Sequence, residues 1–452
     1  MKLFVRDSMF YKVFFRLTLT IALQNVIVFG VNLADNIMLG AYSQNALSGS
    51  ALVNQIQYLL QMLIMGVSEG VVLLGARSWG RKETAPIRRL SGMAMFFALI
   101  IAGAMMCTAI LAPHWLLSLF SNDEAVIGEG MKYLGIICFS YLFFAATNVL
   151  IATMRSVESV RIGFIVSLST LCINVCLNYI LIYGNFGTPC LGVRGAAIAT
   201  LISRITETAI MIFYVSFIDK KVHLRLRDFF TLHHFKDAIF KSYVKVGSPV
   251  LISNAIWGLA MSVQTAILGH MGAQAIAANS IATTVFQVLS VITYGSASAS
   301  GVQISKTIGE GSKNLVKSYA VTMQMLFLII GIFTGTMLFI FKDIIINFYT
   351  LTDEARSLTL QFMTILSVTV VGTSYQMSAL TGIVRGGGDT KFVLINDLIF
   401  MWGIVLPSSA ICAYVFNLSP VIVFMCLKSD QILKCFVAVI KVNRFKWIKE
   451  NI

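Results

Sequence analysis

Charged residues are scarce in this sequence. Asp, Glu, Lys and Arg together make up 12% of its 452 residues, while 57% are hydrophobic. A soluble protein carries about 25% charged residues. With half that share, the chain cannot cover itself with polar side chains, which excludes a set of two or three soluble domains. Proline is nearly missing (6) and glycine common (33), a balance that suits long helices in close contact. The eight cysteines show no Cys-x-x-Cys spacing, and most, such as Cys107, Cys172 and Cys426, sit inside apolar runs. They read as small apolar filler, and neither a disulfide framework nor a metal site is expected. The five histidines (114, 223, 233, 234 and 270) all fall in expected loops or at span ends. An intramembrane enzyme, which needs a nucleophile–base pair or metal ligands within its spans, is therefore the least supported class.

What is present is apolar sequence in lengths that cross a bilayer, each of about 20 residues. Twelve spans are expected, at 13–38, 51–76, 91–113, 133–154, 162–184, 195–217, 246–271, 276–304, 319–341, 360–384, 392–416 and 418–440. Residues Met1 to Arg16 alternate charged and aromatic side chains and run directly into the first span, so no cleavable signal is expected.

The basic residues are distributed by side. Arg77, Arg81, Lys82, Arg88 and Arg89 follow the second span, Arg155 and Arg161 the fourth, Lys220 to Lys245 the sixth, Lys306, Lys313 and Lys317 the eighth, and Arg385 and Lys391 the tenth. Residues 39–50 hold no Lys or Arg, and residues 114–132 hold only Lys132 against three acids. The positive-inside rule then places both termini in the cytoplasm of an inner (cell) membrane protein. The net charge of +14 is spread over many loops, so it reads as a topology signal and no nucleic-acid partner is expected.

The two halves match. Gly40-Ala-Tyr-Ser-Gln-Asn-Ala46 resembles Gly269-His-Met-Gly-Ala-Gln-Ala275 (269 − 40 = 229), and the same offset pairs Gly66 with Gly295 and Gly80 with Gly309. Arg155 pairs with Arg385 at 385 − 155 = 230. An internal repeat of six spans, an even number, gives both halves the same topology. The expected architecture is therefore all-α: twelve transmembrane helices in two six-helix bundles related by a pseudo-two-fold axis along the membrane normal. Its parts are an N-lobe at 1–218, a cytoplasmic linker at 219–245, and a C-lobe at 246–452 that ends in a basic tail.

Four local patterns resemble the multidrug and toxic compound extrusion (MATE) family. They are Asn32-Leu-Ala-Asp35-Asn-Ile-Met-Leu-Gly40 at the end of helix one, Gly192-Val-Arg-Gly-Ala-Ala-Ile-Ala-Thr200 at the start of helix six, Arg385-Gly-Gly-Gly-Asp-Thr-Lys391 after helix ten, and Asp397 through Trp402 to Pro407 in helix eleven. With the repeat, the resemblance covers nearly the whole chain. It implies efflux of organic, often cationic, compounds coupled to inward movement of Na⁺ or H⁺, with no other cofactor. The sequence departs from the family pattern in three places. Where the family has a helix-one proline stands Thr20, while Pro249 keeps the matching place (249 − 20 = 229). Helix seven offers Asn254, Trp257 and Gln264 and no carboxylate. The second acid often seen on helix five is Asn178.

An ionisable residue inside a span reads as functional, and Asp35 is the leading one. Its repeat partner is Gln264 (264 − 35 = 229), so only the first lobe keeps the charge. Ser167, Thr170, Asn174 and Asn178 on helix five form one polar stripe at spacings of three and four. Asp35, Asn174, Asn178 and Thr200 are the expected cation-binding or protonation site, their hard oxygen donors suiting an alkali cation and not zinc. One carboxylate predicts exchange of a single cation. The competing readings are a solvated Asp35 at the helix end and amides that simply bond across helices.

Asn279, Thr283, Gln287, Ser290 and Tyr294 lie on one face of helix eight, matching Ser50, Asn54, Tyr58 and Gln61 on helix two. The expected substrate cleft comprises Asn32, Asn54, Tyr58, Trp257, Gln264, Asn279, Thr283, Gln287 and Asp397, unless these residues only pack helices together. Arg204 and Glu207, one turn apart, read as a structural ion pair. The function that follows is cation-coupled antiport of small organic compounds by a monomer, through alternating access. A flippase for lipid-linked sugars is the alternative, disfavoured because Lys and Arg sit in loops and no basic cleft is evident.

Overall fold

The computed structural model describes residues 4–121, 123–224, 228, 238–347 and 351–449. Among them every regular element is helical. The long helices are α1 (Ser8–Tyr42), α2 (Gln44–Gly80), α3 (Ala85–Leu111), α4 (Glu124–Ile137 continued by Ser140–Ser156), α5 (Arg161–Tyr183) and α6 (Val193–Ile218) in the first half. The second half holds α7 (Ala238–His270), α8 (Ala273–Leu289 continued by Val291–Gly309), α9 (Lys313–Ile346), α10 (Asp353–Val384), α11 (Thr390–Val415) and α12 (Pro420–Lys428 continued by Asp430–Asn443). Nine of these are single helices long and apolar enough to cross a membrane, and the bent pairs α4 (55°) and α8 (44°) bring the number to eleven. The twelfth, α12, is interrupted at Ser429 and carries Lys428, Asp430 and Lys434, which lowers its apolar character. The twelve-helix, all-α membrane architecture read from hydropathy is the one the chain adopts.

Two boundaries differ from expectation. The helix after the linker begins at Ala238, within the stretch 219–245 assigned to the linker. Phe240 and Tyr243, three residues apart on one helix face, stack on Phe97 at 6.3 Å, and the Tyr243 hydroxyl donates to Val67 O at 2.8 Å. These contacts extend the helix below the apolar span while Lys241 and Lys245 face outward. Of the rest of the linker, residues 225–227 and 229–237 lie outside the described residues. Second, α8 is bent by 44° at Ser290, within the polar face that runs from Asn279 to Tyr294. The helix breaks where Ser290 adopts φ −77°, ψ −3°, in the bridge region between helix and extended backbone.

The compact units do not part in the linker. One comprises residues 1–22 with 252–452, the other residues 23–251. Each unit thus takes in the first part of the other half's leading helix. The two division points, Ala22 and Leu251, are themselves one repeat apart (251 − 22 = 229). Glycine makes the exchange possible. In the first unit, a Cβ on Gly295 would collide with Thr18 O of α1. In the second, a Cβ on Gly66 would lie 2.6 Å from Leu251 Cα of α7. These are the two glycines that the repeat pairs. Phe10 and Phe14 extend the seat of α1, packing on Tyr319 at 4.4 Å and Phe327 at 6.5 Å.

Side chains at these two glycines should therefore be costly. Gly66→Val and Gly295→Val are each expected to destabilise the purified protein by about 1–3 kcal/mol or more through overpacking, read as a lowered melting temperature. Gly103→Val, with no atom within 4 Å of its Cβ position, should cost far less.

Candidate functional site

α5 is apolar outside and polar inside. Its buried face includes Ser167, Thr170, Asn174 and Asn178, the stripe read from the sequence. α6 is fixed against it by a tight turn. Gly184 caps α5 in the left-handed conformation (φ +75°), which glycine adopts without strain. Leu191 N and Gly192 N then donate back to Leu181 O at 3.0 Å and Ile182 O at 3.3 Å. A Cβ on Gly195 would lie 2.5 Å from Leu181 O, so the α6 backbone runs directly against α5. This register sets Asn174 Nδ2 3.1 Å from the Thr200 hydroxyl, to which it donates.

The second half of α1 lies along the same face. Gln24 meets Gly163, and the Tyr183 hydroxyl donates to Met38 O at 2.8 Å. Between these two anchors, Asn178 Nδ2 donates to Asp35 Oδ1 and also reaches Asn174 Oδ1 at 3.1 Å. Asp35 is seven residues before Tyr42 at the end of α1 (42 − 35 = 7), about 10 Å inside the helix at 1.5 Å per residue, and it is buried. Asp35, Asn174, Asn178 and Thr200 are thus drawn into one hydrogen-bonded chain.

Two features separate this chain from ordinary inter-helix bonding. Asp35 forms no ion pair among the described residues: Arg204, the nearest base by its electrostatic influence, gives its guanidinium to Glu207 at 2.7 Å and lies over the Phe144 ring at 5.1 Å. Moreover, Asn178 Oδ1, fully buried, has no hydrogen-bond partner. A buried carboxylate with only neutral donors, next to an oxygen with no donor, is an electrostatic deficit. A proton or an oxygen-seeking cation removes it.

The residues expected to line a cleft are divided between the two units. Asn32 is exposed on α1, while Asn54 and Tyr58 are half-buried on α2. In the other unit, Trp257 and Gln287 are exposed, and the half-buried Thr283 donates to Asn279 Oδ1 at 3.3 Å. Gln264, at the repeat position of Asp35, is buried with its amide 3.3 Å from Met401 Sδ. The two bundles are therefore chemically unlike at equivalent points.

Asp397 belongs to a network that the sequence reading did not assemble. Lys434 Nζ lies 3.0 Å from Asp397 Oδ1 and 3.3 Å from Asp430 Oδ2. The Ser253 hydroxyl donates to Asp397 Oδ2 at 2.8 Å and accepts from Arg385 Nη2 at 3.0 Å. Arg385, read as a loop residue, is buried. The signal for Lys434 was present as an Asp–Lys pair one turn apart inside an expected span.

A family model described as MatE matches residues 20–180 and again residues 249–411, two stretches that begin one repeat apart (249 − 20 = 229). The chain belongs to the MatE family. It is 27% identical over 435 residues, 95% of this chain and 91% of the relative, to a probable multidrug resistance protein NorM of Thermotoga maritima. It is 25% identical over 390 residues, 85% of this chain and 83% of the relative, to an uncharacterized transporter YisQ of Bacillus subtilis. Among solved structures, a MATE transporter in complex with MaL6 superposes with TM-score 0.85 at 18% identity, covering 96% of this chain and 97% of that one. A Pyrococcus furiosus transporter of the MOP superfamily, described as having a binding pocket of reversed polarity that suggests a different function, matches with the same TM-score and identity over 96% and 95%. These MatE proteins are multi-pass membrane transporters, and this chain is one of them by family and fold. The structural likeness establishes the fold alone.

The Asp35 chain should show coupling. Asn178→Leu is expected to destabilise the MatE protein by about 2 kcal/mol by stripping a buried carboxylate of its donor. In an Asp35→Asn background the same change should cost much less. Melting temperatures of the four proteins of this cycle give the answer, and equal losses in both backgrounds would contradict the arrangement.

Proposed function

We propose that this MatE chain is an antiporter that exports small organic compounds, cationic or amphipathic, by alternating access of its two lobes, driven by inward movement of one Na⁺ or H⁺. The observation that carries the reading is Asp35: an acid held inside an apolar bundle with an amide donor, no paired base among the described residues, and the unpartnered Asn178 Oδ1 beside it. Such a carboxylate has a strong preference for being occupied. When occupied it carries no net charge and can be moved or reshaped within an apolar surrounding at little electrostatic cost. Asn174 and Thr200 supply further hard oxygens of the kind alkali cations prefer. With the amides of Asn174 and Asn178 as the partners of a single carboxylate, the site holds one charge and exchanges one cation per cycle. Moving one charge down 100 mV yields about 2.3 kcal/mol, enough for roughly a fifty-fold gradient of a neutral solute.

The basic residues that follow the sixth and other even-numbered helices favour cytoplasmic termini in a cell inner membrane. A lipid-linked-sugar flippase is not favoured, because Lys434 and Arg385 lie in one network with Asp397 and Asp430 and most of the remaining Lys and Arg follow the spans in loops.

The experiment is export of ethidium into the lumen of everted vesicles, which corresponds to the cell exterior, with Na⁺ and H⁺ gradients imposed in turn. One of the two gradients should drive efflux by the native protein, and Asp35→Asn should abolish the gradient-dependent part. Gradient-driven efflux that survives in Asp35→Asn would remove the role assigned to Asp35.

A further inference from the structure

The Asp397–Lys434–Asp430 network lies wholly within the unit of residues 1–22 and 252–452, and its three charges differ in how firmly they are held. Lys434 and Asp430 are one turn apart on α12, so their pairing does not depend on any other helix. Asp430 is 1% exposed at its side chain, and its second oxygen accepts from Gln431, 3.0 Å away, whose Oε1 in turn accepts from Gln376 at 2.9 Å. Asp397 is on α11 and 23% exposed at its side chain, against 5% for Lys434. The Lys434–Asp397 bond is therefore the one that joins two helices, and its acid is the more exposed of the two. Asp397 keeps a second, independent support: Arg385 donates to the Ser253 hydroxyl, which leaves that hydroxyl's proton for Asp397 Oδ2. If the ammonium of Lys434 withdraws to Asp430, Asp397 stays oriented by Ser253 with its other oxygen open.

Lys434 lies between two acids, and α12 carries Asp430 and Lys434 within an otherwise apolar run. A purely structural pair needs one acid for the base. Lys434 has two acids within reach, one secured on its own helix and one partly accessible.

We infer that Lys434 is a built-in counter-ion that occupies Asp397 when no ligand does, and that an organic ammonium or other delocalised organic cation displaces it by taking Asp397 while Lys434 retires to Asp430. The inference rests on the proposed export of organic cations and identifies the carboxylate that receives them. Lys434 acts as a competitor, so the apparent affinity for a cation is reduced by the fraction of time Asp397 is already taken. Asp430 sets that fraction by offering Lys434 an alternative partner.

The test is equilibrium binding of ethidium, by fluorescence polarisation, to the purified full chain in lipid nanodiscs, with melting temperatures recorded for each protein. Lys434→Gln should tighten ethidium binding, on the order of tenfold. Asp430→Asn, which leaves Lys434 no partner but Asp397, should weaken it by a similar factor, and Asp397→Asn should weaken it most. The charge-balanced double variant Asp430→Asn/Lys434→Gln guards against misfolding of the single variant and should also bind more tightly than the native chain. Folded Lys434→Gln and double variants that bind ethidium as weakly as, or more weakly than, the native chain would overturn the counter-ion role while leaving cation export standing. Absence of ethidium binding in the native chain and every variant would overturn the organic-cation reading itself, and this inference with it.

Discussion

A carboxylate inside an apolar helix bundle must be either neutralised or occupied, because the effective penalty for burying it uncompensated is several kcal/mol. That constraint organises the second unit of this protein. Asp35 cannot point at lipid, so the α5 face that receives it is polar, with amides and hydroxyls where a packing helix would place Leu or Val. The α5–α6 turn holds Thr200 against that face, and the Tyr183 bond to Met38 fixes the end of α1 over it. Arg204 is committed to Glu207. The acid is left without a paired base among the described residues.

The first unit meets the same constraint differently. At the position that repeats Asp35 stands Gln264, against Met401, and the charge appears elsewhere, in Asp397 and Asp430, with its base supplied internally by Lys434. Lys434 stands at the offset of 230 from Arg204 (434 − 204 = 230), so the last helix of each half carries a base at the same place. One base is paired with a glutamate on its own helix, the other with two aspartates, one of them partly accessible. The two halves thus differ: among the described residues one holds an acid without a paired base, the other an acid paired with Lys434.

Much of this was legible in the sequence. Span number followed from apolar length, the repeat from glycine register, and the α5 stripe from spacings of three and four, because a helix converts those spacings into one face. Asp35 was legible because an acid within a span is too costly to persist there without a use. What could not be read is which bundle each half of α1 and α7 packs against, since an apolar run is equally suited to either. The repeat-paired glycines Gly66 and Gly295 were visible, but not the backbone they admit. The linker was overextended because Lys241 and Lys245 masked the Phe240 and Tyr243 face. Lys434 was passed over because hydropathy averages a single charge away, although an Asp–Lys pair within a span was a sufficient signal.

The central claim is that Asp35 is ionised and takes up one small cation. Infrared difference spectra of the purified protein, recorded as Na⁺ is added at constant pH and as pH is lowered without Na⁺, read the charge and ligation of that carboxylate directly. The account predicts that one of the two titrations perturbs or removes a buried carboxylate band, and that the change is missing in Asp35→Asn. Spectra in which neither Na⁺ nor protons alter any band that depends on Asp35 would contradict it.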